Sequence, residues 1–182
     1  MTTSKVIDLP FGEAGTDRTV EEMRRLVRES LRDPLVIDQA RRIVAECVPR
    51  DEMCRALSIR RWMGENFQFE RDPVGVELVM SPRLMLDRIA SGRFVQGDCD
   101  DAATLAAAMG MAVGMRARFV LYGFGSRWQP VGGTLSSPTL APRRVPFSHI
   151  YTSLRAGTKW VQIDITRPER ARPPSRVKWK EV

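Results

Sequence analysis

Gly97-Asp98-Cys99-Asp100-Asp101-Ala102-Ala103-Thr104-Leu105-Ala106-Ala107-Ala108-Met109 places a thiol at the start of a helix made largely of small side chains. Such a helix can be approached closely from every side, which predicts a central position in the fold. A thiolate at a helix N-terminus is stabilised by unpaired backbone N–H groups and by the positive end of the helix dipole. The Cys99 N–H can also donate to a developing oxyanion. Asp98, Asp100 and Asp101 act in the opposite sense unless they are turned away or paired. Asp98 suits the N-cap, and Asp101 is a candidate partner for an Arg.

His149 is the single His of the 182 residues. It lies in the strand-like segment Phe147-Ser148-His149-Ile150-Tyr151, and Trp160-Val161-Gln162-Ile163-Asp164 follows. A hairpin turning at Ala156-Gly157 sets Arg155 against Thr158 and His149 against Asp164. Opposed residues have Cβ atoms roughly 4.5–5.5 Å apart, within reach of a carboxylate–imidazole hydrogen bond at Nδ1. A slip of one residue would send the two side chains to opposite faces. Cys99, His149 and Asp164 therefore read as nucleophile, general base and orienting carboxylate.

The outer limits are ordinary. A chain with 43% hydrophobic and 28% charged residues suits a single domain with a real core. The longest apolar stretch, Ala102 to Met115, is too short to cross a bilayer, and the residues after Met1 carry no signal-peptide core. Synthesis in the cytoplasm, reduced thiols and no membrane association are the expectations. Cys47 and Cys54 read as core thiols without a base beside them. Three cysteines and one His give no zinc spacing, and no cofactor or metal is called for.

The net charge of +7 is concentrated at the end of the chain. Residues 167–182 hold six basic against two acidic residues, a net of +4, which leaves +3 for the rest. Pro168, Pro173 and Pro174 break this stretch, so it is expected to be an extended, solvated arm, with Trp179 as an anchor for a protein partner. Nucleic acid is not the expected partner.

Local signals place helices first and strands last. Thr19-Val20-Glu21-Glu22 reads as a capping box for a helix to about Leu31, and Asp33-Pro34 starts a second to about Cys47. A third runs from about Asp51 to Asn66, with Met53, Leu57, Trp62 and Met63 near one face. Phe67–Glu70 is extended, and Ser81-Pro82 opens a helix that Gly92 ends. Arg118–Tyr122 is a strand. Gly123 to Pro146, rich in Gly, Ser and Pro, is expected to be a mobile rim.

Gly97-Asp98-Cys99-Asp100-Asp101-Ala102-Ala103, Gly114-Met115-Arg116-Ala117-Arg118-Phe119-Val120, Ser148-His149-Ile150-Tyr151 and Trp160-Val161-Gln162-Ile163-Asp164-Ile165-Thr166 together resemble the core of the transglutaminase-like superfamily. The resemblance implies an α+β, papain-like fold, with the helix of Cys99 packed on an antiparallel sheet. It also implies that Cys99, His149 and Asp164 act without a metal. The chain divides into a helical N-terminal extension over 1–49, the transglutaminase-like core over 50–166 and the basic tail over 167–182.

Asp72-Pro73-Val74-Gly75-Val76-Glu77 with Ser81-Pro82-Arg83 is similar to short transglutaminase-like proteins of bacteriophages and prophages, which implies a place near the virion and protein partners in a phage assembly through the tail. The Gln-Cys-Trp site of eukaryotic cross-linking enzymes is lacking, so cleavage of a peptide or amide bond is expected ahead of acyl transfer. A non-catalytic particle protein that retains the fold is the alternative of a different class. Gln96 and Asn66 are candidates for a second oxyanion donor.

Overall fold

The computed structural model describes residues 4–7, 13–72, 77–123, 149–166 and 176–182. Their elements run β1 (Ser4–Ile7), α1 (Glu13–Ser30), α2 (Pro34–Ile43), α3 (Glu52–Asn66), β2 (Phe67–Phe69), β3 (Glu77–Met80), α4 (Pro82–Ala90), β4 (Val95–Gly97), α5 (Cys99–Ala112), β5 (Ala117–Gly123), β6 (His149–Ala156), β7 (Lys159–Ile163) and β8 (Arg176–Glu181). The expected rim over Gly123 to Pro146 falls, beyond Gly123, outside the described residues. No helix among the described residues is long and apolar enough to cross a membrane.

The core is organised around α5. Its residues Asp100 through Gly110 are all buried, and α1, α2, α3 and β6 pack around it. Small side chains make this possible. A Cβ on Gly110 would stand 2.3 Å from Leu154 Cδ2, so β6 approaches to a distance that only Gly permits. The sheet beneath has the order β7-β6-β5-β8, and each neighbouring pair in it is antiparallel. Two smaller pairs, antiparallel β1–β3 and parallel β2–β4, lie outside that sheet. The α+β architecture with a central Cys99 helix on an antiparallel sheet is as the sequence implies.

Several local expectations hold. Asp33 and Ser81 cap α2 and α4, with Pro at the first helical position of each. Asp51 caps α3, and Gly92 follows α4 at a positive φ of 74°. Others are corrected. α1 begins at Glu13, so Thr19 lies inside the helix and its hydroxyl donates to the Gly15 carbonyl at 3.3 Å. Intrahelical back-bonding, which Thr allows as readily as capping, took the place of the expected box. α2 stops at Ile43 rather than near Cys47.

The buried face of α3 is Ala56, Ile59 and Met63, while Met53 and Leu57 are exposed. Of the expected face Met53, Leu57, Trp62 and Met63, only Met63 is fully buried, and the i, i+3, i+7 pattern runs through the small Ala56 instead. Cys47 and Cys54 are joined in a disulfide with Cα atoms 5.7 Å apart, where reduced core thiols were expected. Both are partly exposed, and the short turn between α2 and α3 brings them within bridging range.

The largest correction concerns the end of the chain. Residues 176–181 are not a solvated arm but strand β8, paired along β5 from Arg118↔Glu181 to Gly123↔Arg176. Alternation explains it: Lys178 and Lys180 both reach Asp17 on α1, while Trp179 is exposed beside Arg118, whose guanidinium also stacks 4.2 Å from the Trp160 ring. Prolines at 168, 173 and 174 lie before the strand and leave it unbroken.

Candidate active site

Asp98 is the N-cap of α5, with extended backbone and a side chain that accepts the Asp100 N–H at 3.1 Å. Cys99 is therefore the first helical residue, half-buried and outside the disulfide. Asp100 and Asp101 turn inward and are buried. Among the described residues Asp101 does not meet an Arg. Its Oδ1 accepts the backbone N–H of Met80, the last residue of β3, at 2.7 Å.

The environment of these carboxyls settles the conflict raised by their number. Burial above all, then the Asp98 carboxyl and the charges of Asp101 and Cys99, push Asp100 well above the ordinary carboxylate range. Neither Asp100 oxygen has a hydrogen-bond donor among the described residues. Burial likewise pushes Asp101 up to about 8, with the Met80 N–H opposing and Asp98 and Asp72 adding to the rise. Burial thus disfavours the charged form of both side chains, which lessens the negative charge set against the thiol. Asp98, Asp100 and Asp101 bring carboxylate oxygens within 4.8 Å of one another. With two of the three driven toward neutrality at the positive end of α5, the cluster offers a divalent cation little charge.

The hairpin supplies the second half of the site. Its register pairs Ala156 with Lys159 and Thr152 with Ile163, and its turn is Gly157-Thr158 rather than Ala156-Gly157. Gly157 has a φ of 60°, the conformation that the first position of a type II′ turn requires. The pairing is displaced by two residues from the expected one, so Asp164 is diagonal to His149 instead of opposite. An even displacement preserves the face, and His149 Nε2 lies 2.9 Å from Asp164 Oδ2. The bonded nitrogen is Nε2, not the expected Nδ1, because the ring reaches along the strand to a diagonal partner.

Asp164 follows the last residue of β7 and is held by local donors. Its Oδ2 also receives the Gln162 amide at 3.2 Å, and its Oδ1 receives the Thr166 N–H and hydroxyl at 3.3 and 3.4 Å. Burial works to raise this carboxyl, but the His149 hydrogen bond and charge, with Thr166 and Gln162, outweigh it and hold Asp164 below the usual carboxylate range. Tyr122 and Tyr151 wall the imidazole, with ring centroids 6.2 and 6.4 Å from it. Their hydroxyls lie 3.0 Å apart, and burial first, then this contact, raises the Tyr151 phenol.

Two contacts orient the halves. The Thr152 hydroxyl donates to the Ala103 carbonyl at 2.6 Å, and Gly110 sits against Leu154. α5 and β6 therefore advance in the same sense. Cys99 lies about 6 Å along the helix before Ala103, and His149 about 10 Å along the strand before Thr152, so both project from the same end of the packing. His149, with Tyr122, Tyr151 and Asp164, stands on the pleat face opposite Thr152.

Thr152, Gln162, Thr166 and the Met80 contact were not read from the sequence. Thr166 alone carried a signal, since a Thr two residues after an Asp is a common local donor. Of the two suggested oxyanion donors, Asn66 spends its amide on the Trp62 carbonyl at 2.8 Å, and Gln96 is exposed on β4.

The transglutaminase-like superfamily profile matches residues 38–165. The chain belongs to that superfamily. No curated protein matches it in sequence. Among solved structures it is similar to a proposed protease from Parabacteroides distasonis, with a TM-score of 0.51 and 12% identity over 85% of this chain and 30% of that one. A proposed cysteine protease from Cytophaga hutchinsonii aligns with a TM-score of 0.47 and 18% identity over 90% of this chain and 49% of that one. The chain thus spans half or less of those two proteins, and the likeness is one of fold.

Proposed function

We propose that this transglutaminase-like protein cleaves a peptide or amide bond through Cys99, His149 and Asp164. The observation that carries the reading is the His149–Asp164 hydrogen bond at the start of β6, the strand whose Thr152 holds the helix of Cys99 through Ala103. In this scheme thiol and imidazole meet over the end of the sheet, where α5 and β6 both begin. The Cys99 thiolate attacks the carbonyl carbon, and the Cys99 N–H receives the oxyanion. His149 protonates the departing amine while Asp164 holds its ring through Nε2. Water, deprotonated by His149, then resolves the thioester. A role in a phage particle and protein partners at the C-terminus rest on sequence resemblance alone.

An activated peptide p-nitrophenyl ester and a set of peptide p-nitroanilides test the reading. Turnover with an acyl adduct on Cys99 by intact-mass analysis is expected, and Cys99→Ser and His149→Ala should abolish both. Addition of methylamine separates hydrolysis from transfer, because an acyl transferase would form the methylamide. Absence of any Cys99 adduct with the activated ester would favour a non-catalytic protein.

A further inference from the structure

The first turn of a helix has backbone N–H groups without intrahelical partners and frays readily. A nucleophile at the first position inherits that freedom, and a displacement of about 1 Å can lower a rate by about 10²-fold. In this protein the start of α5 is gripped from two sides. On one, the Thr152 hydroxyl of β6 bonds the carbonyl of Ala103, which opens the second turn, at 2.6 Å. On the other, Asp101 accepts the Met80 N–H of β3 at 2.7 Å. The grip depends on Gly97, the residue that ends β4. A Cβ there would stand 2.5 Å from Asp101 Oδ2, 2.9 Å from Asp101 Cβ and 2.8 Å from Met80 Cε. The short Asp101 side chain cannot move aside without releasing Met80.

We propose that Asp101 is a positioning residue for Cys99: hydrogen-bonded to Met80 and pressed against Gly97, it fixes the first turn of α5 against β3 and β4 while Thr152 fixes the turn that follows against β6. The spacing Gly97, Cys99, Asp101 is then one device, in which Gly makes room for the carboxyl that holds the thiol. The bond to Met80 needs an acceptor oxygen and not a charge, so Asn can replace Asp. The proposal rests on Cys99 being the nucleophile.

The test is the rate of Cys99 alkylation by iodoacetamide across pH, read by peptide mapping, with circular dichroism to confirm folding. Asp101→Ala and Gly97→Ala should slow alkylation about tenfold or more and displace its pH profile, and Asp101→Asn should stay within about threefold of the unmodified protein. If Asp101→Ala does not fold, Asp101→Ser, too short to reach Met80, takes its place. A folded Asp101→Ala or Asp101→Ser protein with the original rate and profile overturns the proposal, as does an Asp101→Asn protein as slow as Asp101→Ala. If Cys99 of the unmodified protein reacts no faster than in the urea-unfolded chain, the reading of Cys99 itself fails.

Discussion

Asp164 and Asp100 are both buried carboxyls, yet the protein drives them in opposite directions. Asp164 is raised by burial but meets an imidazole, an amide, a hydroxyl and a backbone N–H, which together hold it below its ordinary range. Asp100 is the more deeply buried, has no hydrogen-bond donor among the described residues, and faces other carboxyls, so it is driven up. Burial alone does not decide the charge of a side chain; the donors built around it do. At the hairpin end a negative charge is kept to orient an imidazole. At the helix end burial disfavours negative charge on two of the carboxyls beside a thiol.

The sharpest way to break this comparison is to neutralise the charge that is kept. Asp164→Asn retains the shape but offers Nε2 a weaker and differently oriented partner. Turnover of the p-nitrophenyl ester should fall by as much as ~10⁴-fold while the melting transition persists. A fall of less than about tenfold would show that Asp164 does not orient His149.

Stability against pH reads both carboxyl environments together. Asp164 is lowered, so its contribution is fully present above the unfolded value near 3.8 and is lost as pH falls through its lower folded value. Asp101 is raised to about 8, so the folded protein binds more protons than the unfolded chain between about 4 and about 8, and stability declines as pH rises through that window. Denaturant midpoints at a series of pH values should show both limbs. Asp164→Asn should flatten the acid limb, and Asp101→Asn should reduce the neutral one, to which Asp100, also raised, contributes as well. A neutral limb of unchanged size in Asp101→Asn would contradict the assignment.

A smaller effect contrasts Cys99 with the other two cysteines. The Cys47–Cys54 bridge closes a loop with a sequence separation of 7, which the loop-entropy relation values at about 2.5 kcal/mol. Its reduction should lower stability by that order and leave Cys99 alkylation unchanged. A matching loss of Cys99 reactivity would tie the α2–α3 turn to the site.

How much of this was legible follows the range of the interactions. Residues whose roles are set by neighbours in the chain were readable: Asp98 as cap, Ser81-Pro82 as a helix start and the alanine run of α5 as a central helix. The His149–Asp164 pairing survived an error of two residues in register because face depends only on parity. What the sequence did not disclose was set across the fold. Asp101 meets Met80 from 21 positions away, and β8 finds β5 across a Pro-rich stretch that locally reads as disorder. Neither partner carries a local mark of the other. The Cys47–Cys54 bridge depended on where α2 stopped, which fell four residues before the expected end.

The claim that Cys99, His149 and Asp164 act together is tested most directly by the pH dependence of Cys99 alkylation in the unmodified protein and in His149→Ala. The account predicts a reactive thiol whose ionisation lies below the ~8.5 of a free cysteine, and a return toward that value when the imidazole is removed. Superimposable profiles for the two proteins would contradict it.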